Sequence, residues 1–165
     1  MPRSGEGSDI DEMKRTRAEQ EGQNAGDPLT ARNLAAINQT LQSTRIADLI
    51  RQQTCIRISP GKAGELEFRE HFVAMGELKE RVAPAVNLFT SPWLFQYLTE
   101  TLDKRVLAVI GRKNFAELKD PISLNLNIGT VLSRDFVNFN RVVGEHASKM
   151  LIEFQVIDIF ADMNT

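Results

Sequence analysis

From Thr30 onward the apolar residues Leu34, Ile37, Leu41, Ile46 and Leu49 recur at steps of three to five, which predicts an amphipathic helix within residues 29–52 with Thr30 as its N-cap. Two extended segments follow, Thr54 to Ser59 and Glu65 to about Met75, parted by Pro60-Gly61-Lys62-Ala63-Gly64, and these read as a β-hairpin. On its second strand the period of two places Leu66, Phe68, Phe72 and Ala74 on one face, and Glu70 shares that face. Ser91-Pro92 then supplies an N-cap and a proline at the first helical position. A helix from Pro92 to about Ile110 is expected, its stripe Leu94, Leu98, Leu102 and Val106, with Trp93 and Tyr97 alongside.

Asp120-Pro121 opens a strand, Ile122 to Ile128, in which Ile122, Leu124, Leu126 and Ile128 alternate with Ser123, Asn125 and Asn127. Ser133 can cap a helix through Phe136, Phe139, Val142 and Val143 that Gly144 ends. The last segment, Lys149 to Phe160, alternates again, with Leu151, Glu153, Gln155 and Ile157 on one face and Met150, Ile152, Phe154 and Val156 on the other. Helix, hairpin, helix, strand, helix, strand is the order of an α/β fold in which right-handed crossovers make a parallel pair.

Composition narrows the function classes. Residues 1–28 are dominated by Gly, Glu, Asp, Ser, Gln and Arg, too polar to offset the entropy of ordering, so a disordered tail is expected there. The 165 residues are 42% hydrophobic and 25% charged, which suits one soluble domain and falls short of the roughly 250 residues of a full eightfold α/β barrel. With 20 Lys+Arg against 22 Asp+Glu, net charge −2, no basic excess draws the chain to nucleic acid or to a membrane surface. No run approaches the ~18 apolar residues of a membrane span, and no apolar h-region follows the first basic residue, so a cytoplasmic location is expected.

A single cysteine, Cys55, allows no intrachain disulfide, and His71 and His146 have no zinc-ligand spacing. His71, opposite in face to Glu70, is expected to be solvent-facing, and Cys55 to be a small buried residue. Arg57, Arg69 and Lys62 near the hairpin are read as edge charges that serve solubility. Trp93 and Tyr97 are read as core aromatics. Three strands place a carboxylate or an amide at Glu70, Asn125 and Glu153. Two carboxylates and an amide oxygen form a hard donor set suited to Mg²⁺ or Ca²⁺, while the plainer alternative makes them separate surface and capping residues.

Ile122-Ser123-Leu124-Asn125-Leu126-Asn127 resembles the Val-Ser-Val-Asn-Leu-Ser strand of the EAL domain family, the bacterial cyclic di-GMP phosphodiesterases and their inactive relatives. Leu151-Ile152-Glu153-Phe154-Gln155 is similar to that family's Leu-Glu-Leu-Thr-Glu strand. Arg69-Glu70-His71-Phe72-Val73-Ala74 falls where its naming Glu-Ala-Leu motif lies, and Cys55-Ile56-Arg57-Ile58 where it has Tyr-Gln-Pro-Ile.

The resemblance implies a TIM-like EAL barrel of which residues 53–165 are the N-terminal portion, with Glu70, Asn125 and Glu153 as ligands of a divalent cation such as Mg²⁺. The departures imply loss of turnover. Ala74 stands where the family grips a phosphate with arginine, Ile56 where it contacts guanine with glutamine, and Val156 where it has a second acid. The paired aspartates, the lysine and the last Glu and Gln of the family have no counterpart in these residues.

The expectation is therefore a degenerate, catalytically inactive signalling domain acting by protein interaction or by residual cyclic di-GMP binding, with a protein partner or a homo-oligomer joined through an open sheet edge. The alternative is the first half of a metal-dependent phosphodiesterase that needs a C-terminal half.

Overall fold

The structure is a computed structural model, and it describes residues 26–154. In chain order its elements are β1 (Asp27–Pro28), α1 (Ala31–Ser43), β2 (Ile50–Arg57), β3 (Glu65–Val73), α2 (Met75–Val82), β4 (Val86–Asn87), α3 (Pro92–Ile110), β5 (Ile122–Asn125), α4 (Ile128–Val131), α5 (Arg134–Val143) and β6 (Met150–Glu153). Short 3₁₀ turns cover Ile46–Leu49, Phe115–Glu117 and Gly144–Lys149. The chain is mixed α/β and divides into two compact units, residues 26–44 with 75–95, and 45–74 with 96–154.

In the first unit β1 pairs in parallel with β4, Asp27 opposite Val86 and Pro28 opposite Asn87. Gly26 makes this approach possible. Its φ is 116°, and a Cβ there would lie 2.6 Å from the Ala85 carbonyl oxygen. The expected tail therefore reaches a paired strand at its last two residues, and residues 1–25 lie outside the described part.

α1 begins with a capping box. Asn33 N–H donates to Thr30 Oγ1 at 3.4 Å while Thr30 N–H donates to Asn33 Oδ1 at 2.7 Å. Leu34, Ile37 and Leu41 are buried at helical spacing. The helix is shorter than expected, because the Ser43 and Thr44 hydroxyls both donate to the Thr40 carbonyl and the chain turns extended at Thr44. Ile46 and Leu49, read as its last turns, are buried residues of the following 3₁₀ turn.

α2 was not expected from the pattern. It buries Leu78, Lys79 and Val82, and Lys79 Nζ donates to the Pro84 carbonyl at 3.2 Å.

The second unit holds a four-stranded sheet in the order β2-β3-β5-β6, with β2 antiparallel to β3 and the pairs β3/β5 and β5/β6 parallel. Among the described residues this sheet is open, bounded by β2 and β6, and no barrel closes. Between Cys55 and Ile56 the register slips by one residue, a bulge that sets Cys55 opposite Phe68 but Ile56 opposite Leu66. On one face Ile122, Leu124 and His71 are buried. Along α3, Leu98, Leu102, Val106, Leu107 and Ile110 are buried. Trp93 and Tyr97 correct the expectation of core aromatics: they are 79% and 56% exposed.

The strand from Ile122 stops at Asn125, and α4 begins at Ile128 where extension was expected. α5 agrees with the pattern, with Ser133 Oγ accepting from Phe136 N–H and Gly144 at φ 56° ending it. β6 ends at Glu153. The remainder of the expected last strand, 155–160, lies outside the described residues.

Candidate functional site

The strand registers put the three residues singled out by sequence into one row. Gln53 stands opposite Glu70, Glu70 is the register partner of Ser123, and Asn125 that of Glu153. Laterally paired residues point to the same face, so Gln53, Glu70, Ser123, Asn125 and Glu153 all lie on one side of the sheet. His71 and Leu124 point to the other.

Hydrogen bonds tie this row across the strands. Asn125 Nδ2 donates to Glu70 Oε1 at 2.7 Å, and Gln53 Nε2 donates to Glu70 Oε2 at 2.5 Å, so each oxygen of that carboxylate receives an amide hydrogen. A carboxylate only accepts, which fixes the Asn125 amide with its nitrogen toward Glu70. Ser123, fully buried, donates its hydroxyl to Glu153 Oε1. Glu70 and Glu153 are half-buried, and Asn125 and Gln53 are exposed. The row is therefore open to a solute and has its two anions held in place by neutral donors.

The ends of the strands are fixed as well. Leu126 N–H donates to the Glu153 carbonyl at 3.0 Å, and Asn127 is held by Asp103 of α3, whose Oδ2 accepts from the Asn127 backbone at 2.8 Å, from Asn127 Nδ2 at 2.7 Å and from Thr130 Oγ1 at 2.9 Å. Burial raises the Asp103 carboxyl above the ordinary carboxylate value, the bonds from Asn127 and Thr130 draw it back, and nearby Glu100 raises it further.

His71 overturns an expectation. It lies on the face opposite Glu70, as alternation requires, yet it is buried, because that face is the one carrying Ile122 and Leu124. Its Nδ1 is 3.2 Å from the Arg69 carbonyl, which can only accept, so Nδ1 carries the hydrogen. Nε2 has no hydrogen-bond partner among the described residues. Burial holds the imidazole below its ordinary pKa, the Arg69 carbonyl opposes this, and the charges of Lys113 and Arg69 add to the lowering.

Two of the basic residues near the hairpin, Arg57 and Arg69, are paired with acids. Arg57 Nε donates to Glu67 Oε2 at 3.1 Å, which raises the arginine and lowers the glutamate, and Arg69 Nε lies 2.9 Å from Asp120 Oδ2. Cys55 is half-buried on the Gln53 face. Ala74 is held through its backbone N–H on the Leu49 carbonyl at 2.9 Å, and Ile56 is 53% exposed. Val156 lies outside the described residues.

Among the described residues no group of three or more His, Cys, Asp or Glu could hold a metal ion.

Sequence reasoning did not single out Gln53, Ser123, Asp103 or Asn127. Asp103 had a visible signal, since it stands at helical spacing with Val106 and Ile110, where an acid interrupts an apolar stripe. Gln53 had none, because its position opposite Glu70 depends on the hairpin register. In comparisons with known proteins, no family model matches the chain, and no curated protein and no solved structure matches it.

Proposed function

We propose that this chain is a degenerate EAL-type signalling domain that binds cyclic di-GMP, or a protein partner, without turning the nucleotide over. In this reading β2, β3, β5 and β6 are the first part of a TIM-like barrel, and the row on their shared face is what remains of the metal site. The observation that carries it is the contact of Asn125 with Glu70, with Glu153 in register beside Asn125. Three residues distant in the chain, chosen by resemblance, are neighbours on one open face.

Glu70, Glu153 and the Asn125 amide oxygen, once turned outward, would hold Mg²⁺. Such an ion, when bound, polarises a phosphodiester and lowers the pKa of an attacking water. The chain's own residues orient the two carboxylates, Gln53 and Asn125 donating to Glu70 and Ser123 to Glu153. The alanine at 74 provides no charge for a phosphate and the isoleucine at 56 no amide for a guanine, which argues for binding without hydrolysis.

Isothermal titration with cyclic di-GMP, with Mg²⁺ and with a chelator, tests this. Saturable, Mg²⁺-dependent heat with the nucleotide recovered intact is expected. Hydrolysis products would overturn the inactive assignment. Absence of heat at high-micromolar ligand would remove nucleotide sensing and leave protein contact, for which β6, an edge strand among the described residues, is the candidate surface.

The second reading, a half-enzyme, is favoured by the same held carboxylates. It predicts hydrolysis when a complementing C-terminal half is supplied, abolished by Glu153→Gln.

A further inference from the structure

We propose that Asp103 is a positioning residue for the Glu70, Asn125 and Glu153 row: from α3 it fixes the exit of β5, and through it the direction of the Asn125 amide. This rests on the reading of that row as the binding site.

The argument starts from how Asn127 is used. An asparagine at a helix N-cap ordinarily accepts, through its side-chain oxygen, from the backbone N–H groups of the first turn. Asn127 occupies the N-cap position of α4 and makes no such bond. Its Nδ2 instead donates to Asp103 Oδ2 at 2.7 Å and to Thr99 Oγ1 at 3.2 Å, both on α3. Its backbone N–H goes to the same Asp103 oxygen, and the fully buried Thr130 adds a third donor.

One carboxylate oxygen thus gathers three hydrogens from a four-residue stretch. Capping a one-turn helix needs fewer. A carboxylate that is only 8% exposed is costly to bury, and three charge-assisted bonds offset that cost.

The geometry gives these bonds a destination. Only Leu126 separates Asn127 from Asn125, and Leu126 N–H is held by the Glu153 carbonyl on β6. The segment 125–127 is therefore gripped from two sides, by Asp103 through residue 127 and by β6 through residue 126. The backbone of Asn125, at the end of β5, is thereby fixed while both grips hold, which sets where its amide stands beside Glu70. Glu100 adds to the fit at the same turn: a Cβ on Gly129 would lie 2.7 Å from Glu100 Oε1, so glycine there leaves room for the second acid of α3.

The test uses the full ¹⁵N-labelled chain and Asp103→Asn, which keeps the shape and removes the charge. The Asn125 and Gln53 side-chain amide signals are assigned through Asn125→Asp and Gln53→Glu. In Asp103→Asn the Asn125 signals should move toward free-amide positions while backbone signals of β2 and α5 stay in place, and Mn²⁺ affinity should fall about tenfold, the usual size for an outer-shell partner. Asn125 signals that coincide with those of the wild type overturn the inference.

Should Asp103→Asn fail to fold, Thr130→Val, which removes one donor of three, is read in the same way. A smaller displacement in the same direction supports the role, and none overturns it. If the wild-type chain binds no Mn²⁺ but the Asn125 signals still move in Asp103→Asn, the positioning role stands and the binding reading of the site falls.

Discussion

Two buried titratable groups in the second unit respond to pH with opposite sign. His71 is held below its ordinary value of 6.5 by burial, so the unfolded chain takes up its proton more readily than the folded one. Its contribution to stability is present above 6.5 and is lost as pH falls through the folded pKa. Urea midpoints should decline on acidification from neutral pH, and decline less in His71→Gln; equal declines would show that other groups govern the acid limb. Asp103 runs the other way. Its carboxyl is raised from 3.8, so its favourable contribution is fullest below that value and is lost as pH rises through the folded pKa. Against wild type, Asp103→Asn should therefore fare relatively better as pH rises above ~4, the ordinary carboxylate range, and unfolding curves across that window at fixed ionic strength check it.

At the level of elements, local chemistry decides where helices start more firmly than where they stop. Thr30, with Asn33 as its reciprocal partner, satisfies two N–H groups at the head of α1. Thr30→Ala should lower stability by about 1 kcal/mol, read as a shift of the urea midpoint at constant slope. Ser133 caps α5 through a single bond, from Phe136 N–H, and both starts were legible from hydroxyl residues standing before apolar periodicity.

The ends were less legible. α1 stops at Ser43 because hydroxyls at 43 and 44 take the Thr40 carbonyl, a competition that the apolar spacing through Leu49 conceals. β5 stops at Asn125 because Asp103 draws Asn127 into the head of α4, and Asp103 lies a long way back in the chain. Trp93 and Tyr97 show the same limit: helical spacing marks a face but not what covers it.

For the molecule as a whole, the proposed site is a property of the sheet. Each of its four strands contributes a residue, so the row exists only when β2, β3, β5 and β6 are all paired. A ligand that binds this row stabilises the folded chain by mass action, about 2.7 kcal/mol at a hundredfold excess over Kd. Thermal melts with Mg²⁺ and cyclic di-GMP together should shift to higher temperature, with no shift in Glu70→Gln or Glu153→Gln; an unchanged wild-type melt at saturating ligand would count against nucleotide binding. None of the described helices is long and apolar enough to cross a membrane, in keeping with the absence of long apolar runs.

Periodicity and capping residues by themselves determined the order of the main elements and the faces of the strands, because side-chain direction along a helix or strand follows from backbone geometry alone. Alternation was enough to separate Glu70 from His71, and to set Glu153 on the Leu151 face. Which of those faces is buried was decided by the tertiary structure, and His71 lies within while Glu70 stays accessible. Register was decided there too. The bulge at Cys55 and Ile56 and the parallel pairing of β3, β5 and β6 bring Gln53, Glu70, Asn125 and Glu153 together, and no local pattern encodes the alignment of strands joined by long connections.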